Sequence, residues 1–417
     1  MKYIADLHIH SKYSRACSKQ LEVPVIEAWC KKKGVDIIST ADFTHPAWFS
    51  HLQENLEPAE EGLYKLKGSD GKVRFLCATE ISCIYTQGGR GRRLHVCILA
   101  PSLEVVAKIN KELEKRNFNI KSDGRPIIGL SAKELAKLVL DIDSKCMVIP
   151  AHAWTPWFGV LGSKSGFDSL EECFEEMTPH IYAIETGLSS DPAMNWRCSM
   201  LDDITLISNS DAHSPSNIAR EANVFDFDKP SYNKVCEAIK TGDPKKFLYT
   251  IEFYPQEGMY YADGHRDCGV SFSPEQTERA KGICPQCKKN LTIGVLNRVD
   301  NLADKKEGRR PKKFIPYKSL VGLDDIIAES LNVKGRKSKK VLSEYKKLIS
   351  KGGSELNILL KLSYDKLKQF ASPMIAEGIK RNREGQVYIK PGFDGQYGQV
   401  TLFSEKEKKL GEQKRLF

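Results

Sequence analysis

The chain has 417 residues, 41% hydrophobic and 28% charged, an ordinary globular composition that excludes disorder as the default state and leaves room for two or three domains. No run of 18 apolar residues occurs, and Met1-Lys2-Tyr3-Ile4-Ala5-Asp6 leads straight into charge, so neither a membrane span nor a secretory signal is expected and the cytoplasm is the expected compartment. Lys and Arg (64) exceed Asp and Glu (54), and the surplus is uneven: residues 301–417 carry 27 basic against 14 acidic side chains, whereas residues 1–300 carry 37 against 40. A near-neutral body joined to a basic tail suits a polyanionic partner, although a merely solvated basic face would look the same in composition.

In chain order, short β-rich runs recur at Tyr3–Leu7, Val35–Thr40, Val73–Ala78, Leu94–Leu99, Cys146–Ile149, Ile181–Ile184 and Ile204–Ile207. Helix-like segments lie between several of them, at Val25–Lys33, Leu103–Lys115 and Ala132–Leu140, and Tyr232–Lys240 closes the unit. This alternation predicts a β/α barrel or an open parallel sheet. Polar residues able to bind metal fall at these strands: His8 and His10, Asp42 and His45, Glu80, His95, His152, Glu185, and Asp211 with His213. In a β/α barrel the carboxyl ends of the strands share one face, so residues scattered along the chain converge there.

A single strand histidine is usually structural, but the pairs argue otherwise. In Asp6-Leu7-His8-Ile9-His10 the period-two geometry of a strand points both imidazoles the same way, and Asp6 shares that parity and could hold an imidazole tautomer. Asp211-Ala212-His213 repeats the spacing. Six of the nine histidines sit at these strands, a clustering that core packing does not explain.

The ordered set Asp6-Leu7-His8-Ile9-His10, Ala41-Asp42-Phe43-Thr44-His45, Glu80, His95, Pro150-Ala151-His152 and Ser210-Asp211-Ala212-His213 resembles the polymerase and histidinol phosphatase (PHP) family over residues 1–225. The resemblance implies a distorted seven-stranded barrel that breaks phosphoester bonds with two or three divalent metals, Zn, Mn or Mg. It implies that His8, His10, Glu80 and Asp211 hold one metal, that Glu80 bridges to a second held by His95 and His152, and that a third uses His213 and residues after the second strand. Asp211, His213, Glu80 and His152 are the expected catalytic residues. The chain departs from the family where many members read Thr-Asp-His and this one reads Ala41-Asp42-Phe43, and where Tyr13-Ser14-Arg15 replaces a further histidine; Asp42 or His45 would have to substitute.

After the barrel, His265-Arg266-Asp267-Cys268 and Cys284-Pro285-Gln286-Cys287 form two knuckles separated by fifteen residues, the spacing of a closed tetrahedral site, and predict one structural Zn. The other nine cysteines show no ligand spacing and are read as reduced thiols. Beyond a charged linker, Leu320, Leu323, Ile327 and Leu331 fall on one helical face until Gly335, Val341, Tyr345 and Leu348 on a second until Gly352-Gly353, and a third segment runs from Glu355 to Lys368. Two basic clusters, Lys334, Arg336, Lys337, Lys339, Lys340 and Lys380, Arg381, Arg383, fit phosphate contact, and the second leads to Val387–Gly395, a short hairpin or loop. Gln399-Val400-Thr401-Leu402-Phe403 and Gln413–Phe417 each resemble the opening of a sliding-clamp-binding peptide without its downstream aromatic pair.

The expected architecture is therefore α/β: a distorted seven-stranded (β/α) PHP barrel at 1–245, a small zinc-binding module at 246–300 and a basic helical DNA-binding C-terminal domain at 301–417. This order of parts resembles the endonuclease Q branch of the PHP family. The resemblance implies a nucleoid-associated enzyme that nicks double-stranded DNA on the 5′ side of deaminated bases (uracil, hypoxanthine, xanthine) and abasic sites, leaving 3′-hydroxyl and 5′-phosphate ends. Trp154, Trp157 and Phe158, directly after His152, are expected either to stack on a flipped base or wedge the duplex, or to pack as a lid. Two other readings are a small-molecule PHP phosphatase, which has no use for the zinc module and basic tail, and a noncatalytic DNA-binding protein, which has none for the strand-end ligands.

Overall fold

The structure, a computed structural model, describes residues 1–408. Seven strand runs form the wall of a distorted barrel. Lys2–Asp6 pairs in parallel with Ile37–Ser39, which pairs in parallel with Arg74–Leu76. After Cys77 the chain continues as Ala78–Gln87, which pairs antiparallel with Arg90–Leu99, itself antiparallel to Met147–Pro150. Ala183–Glu185 and Thr205–Ile207 are parallel neighbours. The wall closes where Asp211 donates its N–H to the His8 carbonyl at 2.9 Å and His10 donates to the Ala212 carbonyl at 3.2 Å.

One part of the wall differs from the expected alternation. Glu80 does not end a strand; it is the third residue of the ten-residue strand Ala78–Gln87, opposite Cys97, and His95 comes from a strand that runs against its neighbours. The reason is local: Gly88 and Gly89 both have positive φ (59° and 72°), which turns the chain back at once instead of sending it through a helical crossover.

The helices follow from their caps. Ser131 and Glu134 form a capping box at Ala132–Ile142, Ser231 caps Tyr232–Thr241, and Gly34, left-handed at φ 88°, ends Val23–Lys33. Their buried faces (Leu135, Ala136, Val139; Val235, Ala238, Ile239; Ile26, Cys30) cover the barrel. The barrel sheet runs past residue 245: Phe247–Glu252 pairs antiparallel with Ala222–Asp226, and Tyr317–Ser319, which follows the knuckles in sequence, joins it in parallel.

The knuckles sit beside a hairpin of Asp263–His265 and Val270–Phe272, over a core of Val270, Cys284 and Leu291. Among the described residues the tail includes the helices Leu323–Ser330, Lys339–Gly352, Glu355–Leu360, Tyr364–Lys368 and Pro373–Glu384. The single helix expected from Glu355 to Lys368 is two, because Ser363 starts a new one by accepting the Lys366 N–H, and Pro373–Glu384 was announced by Ser372 followed by proline. The tail seats on the barrel through a buried ion pair, Lys33 Nζ to Glu355 Oε2 at 2.8 Å, with the Tyr345 hydroxyl donating to the same oxygen at 2.6 Å.

Candidate metal centre

His8 and His10 reach the interior from the end of the first strand, each with one ring nitrogen engaged. His8 Nδ1 lies 3.0 and 3.1 Å from the two Glu185 oxygens, and His10 Nδ1 lies 3.1 Å from Asp42 Oδ1. A carboxylate behind Nδ1 fixes the Nδ1–H tautomer and leaves the Nε2 lone pair facing forward. Both Nε2 atoms are buried without a hydrogen-bond partner, as is Asp211 Oδ1. That oxygen lies 3.0 Å from His10 Nε2 and 3.8 Å from His8 Nε2. Lone pairs turned on one another in a dry interior require a cation or a proton between them. Tetrahedral ligands at about 2.0 Å from Zn stand about 3.3 Å apart, which these separations match.

A second cluster adjoins the first. His95 Nδ1 lies 2.8 Å and His152 Nε2 3.1 Å from Glu80 Oε1, and the two nitrogens are 3.2 Å apart. Burial pushes the His95 imidazole down to about 4, keeping it in the neutral form that a ligand needs. The other Glu80 oxygen faces the first cluster, 3.3 Å from His10 Nε2 and 3.7 Å from His8 Nε2. Glu80 therefore stands between two triads, His8, His10, Asp211 and Glu80, His95, His152, each with its donor atoms within 4.8 Å of one another. The loops that present these groups are strained: His152 and Asp211 have φ 30° and 46°. Gly187 is required opposite, because a Cβ there would come within 2.6 Å of the His152 Cβ.

The remaining expected residues take other places. Asp42 offers no free oxygen to the clusters: Oδ2 accepts from Ser11 N (2.7 Å), Ser11 Oγ (2.6 Å) and Ser14 Oγ (2.8 Å), and Oδ1 faces His10. His45 stacks on Tyr13 at 4.2 Å and belongs to neither triad. His213 packs on the His10 ring at 4.6 Å, its Nδ1 2.8 Å from the Asp211 carbonyl. Asp6 touches no imidazole; its oxygens accept the N–H groups of Ser210 and Ala219, so it braces the Asp211 loop. Trp154 is fully buried and donates Nε1–H to Asn195, which removes it from any contact with a base. Trp157 is exposed and packs edge-on against Tyr260, while Phe158 covers His95.

Sequence reading missed Arg125, whose Nη1 reaches Glu80 Oε2 at 2.9 Å. It comes from a loop and carries no motif; only the fold brings it here. Arg125 lines a cleft of about 290 Å³ with His95, His152, Trp157, Asp211 and His213. A larger cavity of about 510 Å³ opens on the far side of Asp211 and His213, between barrel and tail, and reaches Arg220, Glu257, Arg336 and Tyr397.

In the knuckle module His265, Cys268, Cys284 and Cys287 bring one ligand atom each within 4.8 Å of the others. Backbone N–H groups of Cys287 and Gln286 aimed at Cys284 hold its thiol below the ordinary range, as a thiolate ligand requires. The tail cations divide. Lys334, Lys337, Lys339, Lys340 and Lys380 are exposed. Arg336 is tied to Asp325 and to Asn217 of the barrel, Arg381 pairs with Glu377 and Glu407, and Arg383 donates to the Ile358, Leu359 and Leu362 carbonyls. Leu402 and Phe403 are buried with their N–H groups on Glu329, so the Gln399–Phe403 peptide is folded into the tail; Gln413–Phe417 lies outside the described residues. Among the described residues no helix is long and apolar enough to cross a membrane.

A closed wall of seven strand runs with imidazole and carboxylate triads gathered at one mouth defines a PHP-type metal-binding barrel. A family model described as PHP-associated matches residues 196–244, and one described as the MJ0043 C-terminal domain matches residues 322–386. The crystal structure of the lesion-specific endonuclease PfuEndoQ from Pyrococcus furiosus is similar with a TM-score of 0.86 and 29% identity, over 97% of this chain and 96% of that one. Endonuclease Q in complex with a 27-mer duplex carrying an abasic lesion is similar with a TM-score of 0.84 and 29% identity, over 97% and 98%. The uncharacterized protein YqxK of Bacillus subtilis is 28% identical over 96% of this chain and 99% of its own length. The uncharacterized protein MJ0043 of Methanocaldococcus jannaschii is 31% identical over 61% of this chain, which spans 32% of that relative's length. In barrel, knuckle module and tail together, the chain is similar to endonuclease Q over 97% of its length.

Proposed function

We propose that the protein is a metal-dependent DNA repair endonuclease that hydrolyses the phosphodiester 5′ to a deaminated base or an abasic site in duplex DNA, leaving 3′-hydroxyl and 5′-phosphate ends. The observation that carries this reading is the pair of buried triads sharing Glu80 at the mouth of a barrel whose whole chain superposes on a lesion-specific endonuclease. His8, His10 and Asp211 would hold one divalent cation and His95 with His152 a second, with Glu80 between them. Bound there, such ions supply a water acidic enough to attack phosphorus and neutralise charge on the phosphate oxygens.

The chain's own residues do the rest. Glu185 and Asp42 lock the two imidazoles in the tautomer that presents Nε2. Arg125 holds Glu80 and turns its remaining donors to the cleft, where a phosphate oxygen would be received. Because Asp42 is consumed by Ser11, Ser14 and His10, and His45 stands apart, two ions rather than three suit this barrel. The imidazole donors suit Zn, and the carboxylate donors suit Mn and Mg. The knuckle module would hold one structural Zn, and the exposed tail lysines would hold the DNA backbone.

The test is incubation with Mg or Mn of duplexes containing uracil, hypoxanthine, an abasic site or no lesion, beside a phosphomonoester. Nicking confined to lesion strands, with a 3′-hydroxyl end, supports the reading. Phosphomonoester turnover without nicking would make the protein a small-molecule phosphatase, and binding without turnover of either would make it a noncatalytic DNA-binding protein.

A further inference from the structure

The loop from Pro391 to Gly398, between the strands Tyr388–Lys390 and Gln399–Thr401, is held far more firmly than its exposure suggests. Gly392 donates to the Gln256 carbonyl at 2.8 Å, and Ala262 donates back to Gly392 at 3.0 Å. Gly395 donates to Met259 and Gly398 to Glu257, each at 3.0 Å. Glycine is required at both ends of the loop, since a Cβ on Gly392 would collide with the Gly258 carbonyl and one on Gly398 with the Gln256 carbonyl. Asp394 fixes the tip to the knuckle module, its two oxygens accepting from Arg266 N at 2.7 Å and Thr292 Oγ1 at 2.6 Å.

On this rigid frame Phe393 points inward and is 7% exposed, whereas Tyr397 is 76% exposed. A tyrosine that open contributes almost nothing to folding, yet its backbone is pinned on both sides. Its ring lies at the rim of the cavity that Asp211 and His213 bound at the other end. An exposed aromatic side chain on a pinned backbone beside the candidate metal centre suits stacking on a nucleic-acid base, because the backbone loses little further freedom on contact.

We propose that Tyr397 is a stacking platform for a base that flanks the extruded nucleotide in bound DNA. The proposal rests on the nuclease reading for its ligand. It places the stacked base outside the cavity, since the ring stands at the rim, and so predicts the same contribution whether or not the extruded nucleotide carries a base. When a nucleotide leaves the duplex its neighbour loses a stacking partner, and the ring would replace it.

The test uses the full chain and two duplexes alike except for uracil or an abasic site at one position, each with 2-aminopurine as the neighbouring base. Tyr397→Ala should weaken binding of both duplexes by about tenfold and raise 2-aminopurine fluorescence in both complexes, while Tyr397→Trp stays within about twofold of wild type. Equal affinity and fluorescence for Tyr397→Ala and wild type would overturn the proposal. A loss confined to the uracil duplex would also overturn it, because the ring would then meet the extruded base. Since the readout is binding, a protein that held both duplexes without nicking either would contradict the nuclease reading and still decide the role of Tyr397.

Discussion

At the residue scale the first triad is built from pairs in which a carboxylate fixes an imidazole, Glu185 behind His8 and Asp42 behind His10. Glu185 is the clearest: it contacts His8 Nδ1, accepts the His152 N–H at 3.0 Å and the Asn209 amide at 2.8 Å, and so braces ligands of both triads. Glu185→Gln keeps the shape and removes the charge, and should lower metal affinity by about 10- to 100-fold, with nicking recovered at high metal concentration. An unchanged affinity in a calorimetric titration would contradict that role. The sequence showed Glu185 at a strand end, but its task became visible only when the fold set it behind His8; Asp6, which shares parity with His8 and His10, turned to the backbone instead. Parity states which face a side chain takes and says nothing about which neighbour is already satisfied.

A second residue-scale feature lies behind the site. Glu252 and Glu221 are both fully buried, and burial, with the Asp191 charge adding to it, pushes the Glu252 carboxyl from 4.5 up to about 8. A group that binds its proton more tightly when folded gives stability at low pH that is lost as pH rises, here through the window from 4.5 to about 8. Thermal midpoints should therefore fall across that window, and Glu252→Gln, which cannot ionise, should flatten the dependence. A variant with the wild-type slope would show that the proton is held elsewhere.

At the element scale, legibility followed how local the signal was. The helices Leu103–Lys115 and Tyr232–Thr241 were readable to within a residue because caps and apolar spacing lie inside the segment. The hairpin of Ala78–Gln87 and Arg90–Leu99 was not read, although Gly88-Gly89 announced it, because the wide spacing of β runs favoured a crossover reading. The knuckle module is the most local of all, four ligands within 23 residues around a core of Val270, Cys284 and Leu291. So small a core offers little to hold the hairpin, and the proposed zinc would supply stability there. Cys284→Ser should lower the zinc content by one per chain and make the segment from 263 to 292 the first site of proteolysis; an unaltered zinc count would remove the structural ion.

At the scale of the whole molecule, the net charge of +10 is resolved into parts. The barrel is close to neutral, and the imidazoles and carboxylates at its mouth would gather cations, while the surplus lies in the tail. Sequence could not sort that surplus: Arg381 and Arg383 turned out to be occupied within the tail, and Lys337, Lys339 and Lys340 stand free at the surface where the tail meets the barrel. Neutralising those three lysines should weaken duplex binding with or without a lesion and flatten its salt dependence by about 0.9 for each lost phosphate contact. An unaltered slope would leave them as solvated charge. The buried Lys33–Glu355 pair ties the tail to the barrel.

Wild type and Asp211→Asn, compared on an abasic-site duplex with nicking and binding measured side by side, decide whether the first triad does the chemistry. With Asp211 as a proposed ion ligand, nicking should fall by at least about a thousandfold while affinity stays within about threefold. Nicking retained at near the wild-type rate would remove the first triad from the chemistry.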